Sequence, residues 1–466
     1  MRRLAVAVAL ALGGIAAGGP ARASDADPEG KPDPALEEVR ARLEEQRREI
    51  EDLKARLGTE EGKAAVGDAV KEYLESEEGK KALGASAADF RVSWKEGIAF
   101  ETRDGNFTLK VGGRLHYDTV LPDADDDLEA LVGDIDATAG LRRARVEFSG
   151  TIFGNVFYAN AIEFAGSATT FKNNYVGLKG LPGGLSFQAG YFKEPVGLEE
   201  LTSANYITFV ERSLANNAFA PSFDNGMMVF ASHLEDRLHW AVGDFADNGS
   251  GGPAPVRFQH NFTGRVCGLP FRSKVAERES LVHLGASFQD RSPESEDDRI
   301  QVRPSVPFVP RTQDTGLFSV DSERILGLEA AAVHGPFSVQ GEWYRGDYDD
   351  HPDAPGPSPA YEGWYAMASW FVTGETRPYR GGAFGRVKPK SAFDGKGGTG
   401  AVELAVRYSA LDLDDDGLDG GTGHDTTLGV NWHLNTNARV MVNYVLYTRH
   451  GVGDVNSLVF RVQVDF

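Results

Sequence analysis

The chain has 466 residues, a formal net charge of -21 and a mean hydropathy of -0.33, so it is acidic and on average hydrophilic. An acidic excess of this size excludes nucleic acid as a natural partner. Cys267 is the single cysteine, which excludes an internal disulfide. The 55 glycines and the aromatic content of 10% are typical of a β protein that is rich in turns.

The first residues have the features of an export signal. Two arginines precede an apolar run from Leu4 to Ala17, and an A-x-A cleavage motif follows at Ala21-Arg22-Ala23. We therefore expect residues 1–23 to be a signal peptide and residues 24–34 a polar linker. The apolar run is too short for a transmembrane helix. If the chain spans a membrane, it does so as a closed barrel, because open backbone cannot face lipid.

Residues 35–88 are predicted to form a helical extension in the periplasm. Apolar residues recur there at alternating steps of three and four over about three heptads. The positions of this seam are Leu36, Val39, Leu43, Gln46, Ile50, Leu53 and Leu57, of which Gln46 is the one polar position. A coiled coil is the favoured interpretation, and a single amphipathic helix lying on the barrel is the alternative.

From Asn106 onward, apolar and polar residues alternate with a period of two. The clearest runs are Phe107–Leu115, Arg145–Ile152, Val402–Ser409, Leu428–His433, Arg439–Leu446 and Phe460–Phe466. One face of each run is apolar and the other carries charge, as the lipid-facing and lumen-facing sides of a barrel strand require. The sequence therefore predicts an all-β transmembrane barrel of about 16 antiparallel strands over residues 89–466, with the N-terminal α-helical coiled-coil extension before it.

The predicted connections alternate between short and long, as periplasmic turns and external loops of outer-membrane barrels do. Long connections are expected at Leu121–Thr138, Lys193–Asp224, Asp290–Ser322, Asp347–Tyr361 and Asp412–Gly423. Arg291 is accordingly expected to be an external-loop charge. The stretches Thr373–Thr399 and Ile98–Arg103 do not fit this alternation, and each could contain a further strand or insert.

The connection near residues 193–224 departs most from the strand pattern. It runs for about thirty residues without period-two alternation, yet it keeps Phe192, Tyr206, Phe209 and Phe219. A structureless connector of that length is uncommon unless it is functional. We expect it to be the third external loop, to fold into the lumen and to narrow the channel. A mobile surface loop is the alternative.

Several segments resemble the phosphate-selective porin O/P family. They are GGRLHYD (Gly112–Asp118), RRARVEFSGTIFG (Arg142–Gly154), GYFKEPVGLEELTSANYITFVERSLANNAFAP (Gly190–Pro221), VTGETRPYRGGAFGRVKPKSAF (Val372–Phe393) and VELAVRYSALDL (Val402–Leu413). The resemblance covers about Ile98 to Phe466 and implies a trimeric outer-membrane barrel of 16 strands whose third loop folds inward. In that family, phosphate specificity is attributed to lumen arginines and a small lysine cluster. Here the third loop carries Glu194, Glu199 and Glu200 and a single lysine, Lys193, which weakens the expectation of strict phosphate selectivity.

The predicted function is an outer-membrane porin, a water-filled channel for passive diffusion of small ions and solutes, with anions such as phosphate among the candidates. The residues expected at the constriction and in the lumen are Lys193, Arg212, Glu199, Glu200, Lys110, Arg114, Arg143, Arg145, Arg407 and Arg439, with Arg461 as a further lumen candidate. Rings of Arg or Lys in a pore attract anions. A wet lumen also carries charges for solvation alone, and Glu199, Glu200 and Glu211 could instead favour cations or pair with wall arginines.

Two other classes of function stay open. The coiled coil could be a structural tether between membrane and cell wall, and a barrel-embedded hydrolase would have several histidines available. The sequence has no G-x-S-x-G or H-E-x-x-H motif, so no enzyme activity, cofactor or metal is predicted. The run Asp412-x-Asp414-x-Asp416-Gly417 matches only the first half of a calcium loop. The expected partners are small solutes, outer-membrane lipid and further copies of the chain in a homotrimer.

Overall fold

The computed structural model describes residues 90–466 apart from 247–253, 255–259, 276–277, 293–296 and 351–355, together with residues 42–48, 68, 72, 73 and 76. The chain divides into two units, Met1–Ala88 and Asp89–Phe466. In the first unit, residues 42–48 are helical. The predicted signal peptide, the linker and most positions of the predicted coiled-coil seam lie outside the described residues, so the coiled coil stays a prediction.

The second unit consists mainly of antiparallel strands. In chain order they are β1 (Phe90–Trp94), β2 (Ile98–Thr102), β3 (Thr108–Ala124), β4 (Thr138–Ile152), β5 (Val156–Glu163), β6 (Thr170–Leu181), β7 (Leu185–Lys193), β8 (Phe223–His233), β9 (Leu238–Ala246), β10 (Asn261–Val275), β11 (Arg278–Arg291), β12 (Asp297–Asp298), β13 (Gln301–Val302), β14 (Gln313–Asp314), β15 (Phe318–Ser319), β16 (Ser322–His334), β17 (Phe337–Asp349), β18 (Ala360–Phe371), β19 (Tyr379–Arg380), β20 (Ala383–Phe384), β21 (Ala401–Asp415), β22 (Leu418–His433), β23 (Ala438–Arg449) and β24 (Gly453–Asp465). Three short helices lie between strands: α1 (Asp126–Val132), α2 (Leu198–Leu201) and α3 (Leu214–Phe219). A 3-10 turn, Pro182–Gly184, joins β6 to β7. Within the described residues, no helix has the length and apolar character needed to cross a membrane.

Sixteen of the described strands close into a barrel. They are β3 to β11, β16 to β18 and β21 to β24, each antiparallel to the next. The last strand, β24, returns to pair with β3, from Val455 opposite Ala124 to Asp465 opposite Arg114. The predicted barrel of 16 antiparallel strands is therefore confirmed. Strands β1 and β2 form a hairpin that continues the sheet beside the first residues of β3.

The alternation of side chains explains why these residues form barrel strands. On β24, Phe460, Val462 and Val464 are exposed on the outer face, whereas Arg461 and Gln463 are buried in the interior. An outward apolar face on every strand suits lipid, and the charged inward residues face the lumen. The sheet has no free edge between β3 and β24, so its backbone polar groups are satisfied without water.

The connections differ from the predicted ones in two places. Strand β21 reaches Asp415 and β22 begins at Leu418, so the long loop expected at Asp412–Gly423 is instead a tight turn. Its central residues, Asp416 and Gly417, have φ of 49° and 81°, as a type I′ hairpin requires. The second difference is the connection from β9 to β10, which is long although no long loop was expected there. Strands β2, β19 and β20 fall in the two stretches that did not fit the alternation.

The seam that closes the barrel contains a buried ion pair, which gives a test of the fold. Arg461 on β24 donates to both carboxylate oxygens of Asp118 on β3, at 2.7 and 2.6 Å, and both side chains are fully buried. We expect Asp118→Ala to lower the free energy of unfolding by about 3 kcal/mol, because it leaves a buried guanidinium without its carboxylate. Urea titration of the barrel in lipid vesicles measures this loss.

Asp347→Ala is the matched control for the seam variant. It removes an aspartate whose ion pair with Arg345 is about half exposed on both sides. An exposed pair contributes at most about 1 kcal/mol. Equal losses in the two variants would show that the seam pair does not stabilise closure.

Candidate ion pathway

Residues 194–222, which join β7 to β8 and are called the constriction loop below, lie inside the barrel. The backbone N–H groups of Leu198 and Glu199 donate to the Glu342 carboxylate on β17, at 2.9 and 2.6 Å. Gly197, with φ of 71°, precedes them, and the Tyr344 hydroxyl occupies the space that a Cβ would need. The first helical turn of the loop is therefore fixed to the wall by a carboxylate at its N-terminus.

Wall residues also hold the carbonyl groups of the constriction loop. Arg439 on β23 donates to the Ile207 carbonyl at 2.9 Å, and Asn431 on β22 donates to the Thr208 carbonyl at 2.8 Å. Arg461 on β24 donates to the Val210 carbonyl at 2.8 Å. These contacts place the loop against the β17 and β21–β24 side of the barrel, and they satisfy backbone groups that have left the sheet.

The loop carboxylates are paired with cations. Glu199 accepts from Arg407 on β21 at 3.1 Å and from the Ser213 hydroxyl, which caps α3, at 2.7 Å. Glu200 lies 2.7 Å from Lys193 Nζ and 2.9 Å from Arg212 Nε. Pairing of these carboxylates with arginines was one of the alternatives left open by the sequence. Their charges are thus largely offset within the loop and its wall contacts.

Two of the cavities that border the constriction loop lie on its β3–β6 side. The inner cavity, of about 620 Å³, lies beside β3, β4 and β6. The outer cavity, of about 430 Å³, lies between β4, the constriction loop and residues 301–311. Together they are called the passage below. The charged residues that line it are Arg114, Arg142, Arg143, Arg145, Glu163, Lys172, Lys193, Glu200, Glu211, Arg212, Arg303 and Arg311.

The charge of the passage is opposite to that of the whole chain. Among the described residues, nine cationic and three anionic side chains line it, an excess of six positive charges. The chain as a whole carries a net charge of -21. A cleft that is lined by one sign of charge and has walls of low dielectric constant focuses its field and concentrates counter-ions. The arrangement therefore attracts anions.

The loop between β11 and β16, residues 292–321, supplies the external part of this lining. It also contacts the wall at β22 and β23. Ser305 Oγ donates to Asp425 at 2.5 Å, and Thr312 donates to the Tyr447 hydroxyl at 2.7 Å. Within the loop, the hydrogen bonds that Arg299 donates lower the pKa of the Asp314 carboxyl to about 2. These hydrogen bonds hold the loop where Arg303 and Arg311 line the outer cavity.

Six of the ten residues predicted for the constriction and lumen line the inner cavity. They are Lys193, Arg212, Glu200, Arg114, Arg143 and Arg145.

The other four line neither cavity of the passage. Glu199, Arg407 and Arg439 are buried in the contacts that anchor the constriction loop. Lys110 lies near the start of β3, opposite Ser149, away from both cavities. Arg291 was wrongly placed, since it is a buried residue of β11 that donates to Glu194 at 2.9 Å.

Four cations of the passage are not predicted by the sequence pattern: Arg142, Lys172, Arg303 and Arg311. Arg142 was missed because β4 carries a bulge. His116 of β3 pairs with Arg143 and Tyr117 pairs with Leu141, so Arg142 has no partner of its own. The extra residue turns Arg142 to the same side as Arg143. Lys172 lies beside a second register shift, in the pairing of β5 with β6.

Comparisons with known proteins identify the family. Residues 109–466 match the family model described as phosphate-selective porin O and P. Porin O of Pseudomonas aeruginosa is 26% identical over 428 residues, covering 81% of this chain and 93% of that protein. An uncharacterized protein of Caulobacter vibrioides is 30% identical over 409 residues, covering 82% of this chain and 78% of that protein.

Solved outer-membrane proteins are similar in fold at low sequence identity. OmpT of Vibrio cholerae has a TM-score of 0.47 at 13% identity and covers 77% of this chain and 98% of its own. An anion-selective porin from Comamonas acidovorans has a TM-score of 0.47 at 12% identity and covers 77% of this chain and 100% of its own. The match to the family model, which extends over most of the barrel, shows that this chain belongs to the phosphate-selective porin O and P family of outer-membrane channels.

Proposed function

We propose that this porin is a passive channel for small anions, including phosphate, and that they cross through the passage between the constriction loop and the β3–β6 wall. The observation that carries the proposal is the excess of six positive charges along the passage in an acidic chain. The chain's family is described as phosphate-selective, which supports phosphate as one of the solutes. No catalytic role is proposed.

The residue types suit oxyanions. Seven of the nine cations of the passage are arginines. A guanidinium presents a fixed fork of donors that matches the oxygens of phosphate or carboxylate groups, and it stays charged at every pH of interest. Because these charges lie inside the barrel beside buried protein, they act through a lower effective dielectric constant than in water and are weakly screened.

Reversing two cations of the passage tests the proposal. We expect Lys172→Glu combined with Arg303→Glu to lower the anion-to-cation permeability ratio by about tenfold, equivalent to ~1.4 kcal/mol. Each substitution exchanges a cation for an anion beside the path, one in the inner and one in the outer cavity. Reversal potentials in planar bilayers under a KCl gradient measure the ratio. Lys193 and Arg212 are less suitable, since reversing either also breaks its contact with Glu200.

Arg324→Glu combined with Arg345→Glu is the control with the same change in charge. Both arginines lie near the external ends of β16 and β17, about half exposed. Charges in water are screened over about 10 Å at moderate salt, so this variant should move the reversal potential little. The proposal fails if the unmodified channel prefers cations, or if both double variants shift the reversal potential equally.

We also propose that the channel is a homotrimer and that its N-terminal segment lies in the periplasm. The seam of apolar residues within residues 35–57 supports association, and the family resemblance implies a trimer. Chemical cross-linking of native extracts should give a trimer, and deletion of residues 35–57 should leave single-channel conductance unchanged. A purely monomeric product would contradict the trimer, and a changed conductance would show that the segment reaches the channel.

A further inference from the structure

One ion pair crosses the passage from wall to loop. Arg142 on β4 donates to Glu211 of the constriction loop through Nε at 2.7 Å and through Nη2 at 3.1 Å. About a third of the Arg142 side chain is exposed, whereas 11% of Glu211 is. The cation of the pair is therefore accessible from the passage while the carboxylate is held mainly by protein.

The pair stands where the two cavities meet. Arg142 and Glu211 line both the inner and the outer cavity, as do Ala165 and Asn217. A solute that moves from one cavity to the other must pass this junction. With the pair closed, two charged side chains join the loop to the wall there.

Glu211 has a second cation beside it that remains when the pair opens. Glu211 Oε1 also lies 3.5 Å from Arg461 Nη2, so a released Glu211 keeps a buried cation beside it. Burial alone would raise the pKa of the Glu211 carboxyl, but Arg142, Arg143 and Arg461 outweigh it and hold that pKa below its usual range. Glu211 is thus an anion when the pair is closed.

Arg143 provides the second position for an anion. It lines the inner cavity next to Arg142, and its Nη1 is buried without a hydrogen-bond partner in the described part of the chain. A buried donor without a partner costs free energy, which an incoming acceptor would recover. The bulge that brings Arg142 and Arg143 to one side therefore creates two successive donors along the path.

We propose that the Arg142–Glu211 pair is an exchangeable gate, which a small oxyanion opens by replacing Glu211 on the Arg142 guanidinium before it moves to Arg143. This inference rests on the proposed anion passage and adds the step that controls it. A carboxylate and a phosphate present the same pair of oxygens to an arginine fork, so the two compete for one site. Passage is then saturable, because each oxyanion must displace the resident carboxylate.

The test is block of the chloride current by inorganic phosphate in single channels. In Glu211→Gln the competing carboxylate is gone, so half-block should occur at about tenfold lower phosphate concentration. In Arg142→Gln the binding cation is gone, and half-block should need about tenfold more phosphate. These opposite shifts distinguish exchange on Arg142 from a simple change in pore width.

Glu163→Gln is the matched control. Glu163 also lines the inner cavity and pairs with an arginine, Arg145 at 3.1 Å, but both residues belong to adjacent strands of one wall. Its substitution removes the same charge without opening a contact across the passage, so half-block should change by less than about twofold. Equal shifts in Glu211→Gln and Glu163→Gln would overturn the gate, since general electrostatics would then explain both.

Two further measurements distinguish failure of the gate from misfolding of a variant and from failure of the proposed function. Heat-dependent migration in SDS gels shows whether each variant is a folded barrel. If Glu211→Gln does not fold, Arg142→Gln decides alone, and a phosphate block as strong as in the unmodified channel would overturn the gate. An unmodified channel that prefers cations refutes the proposed anion passage, whereas an anion-selective channel with indistinguishable Glu211→Gln and Glu163→Gln variants refutes the gate alone.

Discussion

The structure depends on the need to satisfy the backbone of the 29-residue constriction loop, which has left its sheet inside a membrane barrel. No sheet partner is available in the lumen, so side chains of the wall supply the donors and acceptors. Arg439, Arg461 and Glu342 perform this role from three different strands. These three residues lie on the β17–β24 side, and Arg291 and Gln289 of β11 hold the loop at Glu194 and Phe219. The inner cavity is therefore left beside β3, β4 and β6.

The anchoring of the loop also separates two kinds of charge. On the anchored side, cations are matched by anions or carbonyl groups, as in the buried pairs of Arg407 with Glu199 and Arg461 with Asp118. Such pairs organise the interior but attract few ions, since their fields largely cancel. On the open side the cations outnumber the anions three to one. In the proposed anion channel, selectivity is thus set by the cations of the passage that exceed its anions.

The sequence predicts the barrel well because alternation along a strand is a local property. It reports whether a side chain faces lipid or lumen, but not which part of the lumen the loops fill. Arg407 and Arg114 look alike in the sequence, yet one anchors the loop and the other lines the passage. Arg303 and Arg311 could not be found in this way, because their loop has no periodicity. The turn at Asp416–Gly417 could not be predicted either. The acidic residues before it are typical of a loop, yet they belong to the end of β21.

The bulge at Arg142 shows how a local energy cost shapes the pathway. In a regular strand, one of two adjacent arginines would face lipid, at a cost of about 2–4 kcal/mol at the bilayer midplane. Here Arg142 has no partner in the pairing of β3 with β4, which avoids that cost. The adjacent pair, Tyr117 and Leu141, stays on the lipid side, and each residue is nearly half exposed. The same irregularity brings Arg142 within reach of Glu211 and sets Arg143 beside it. The exclusion of charge from lipid therefore produces the pair of arginines that the passage uses.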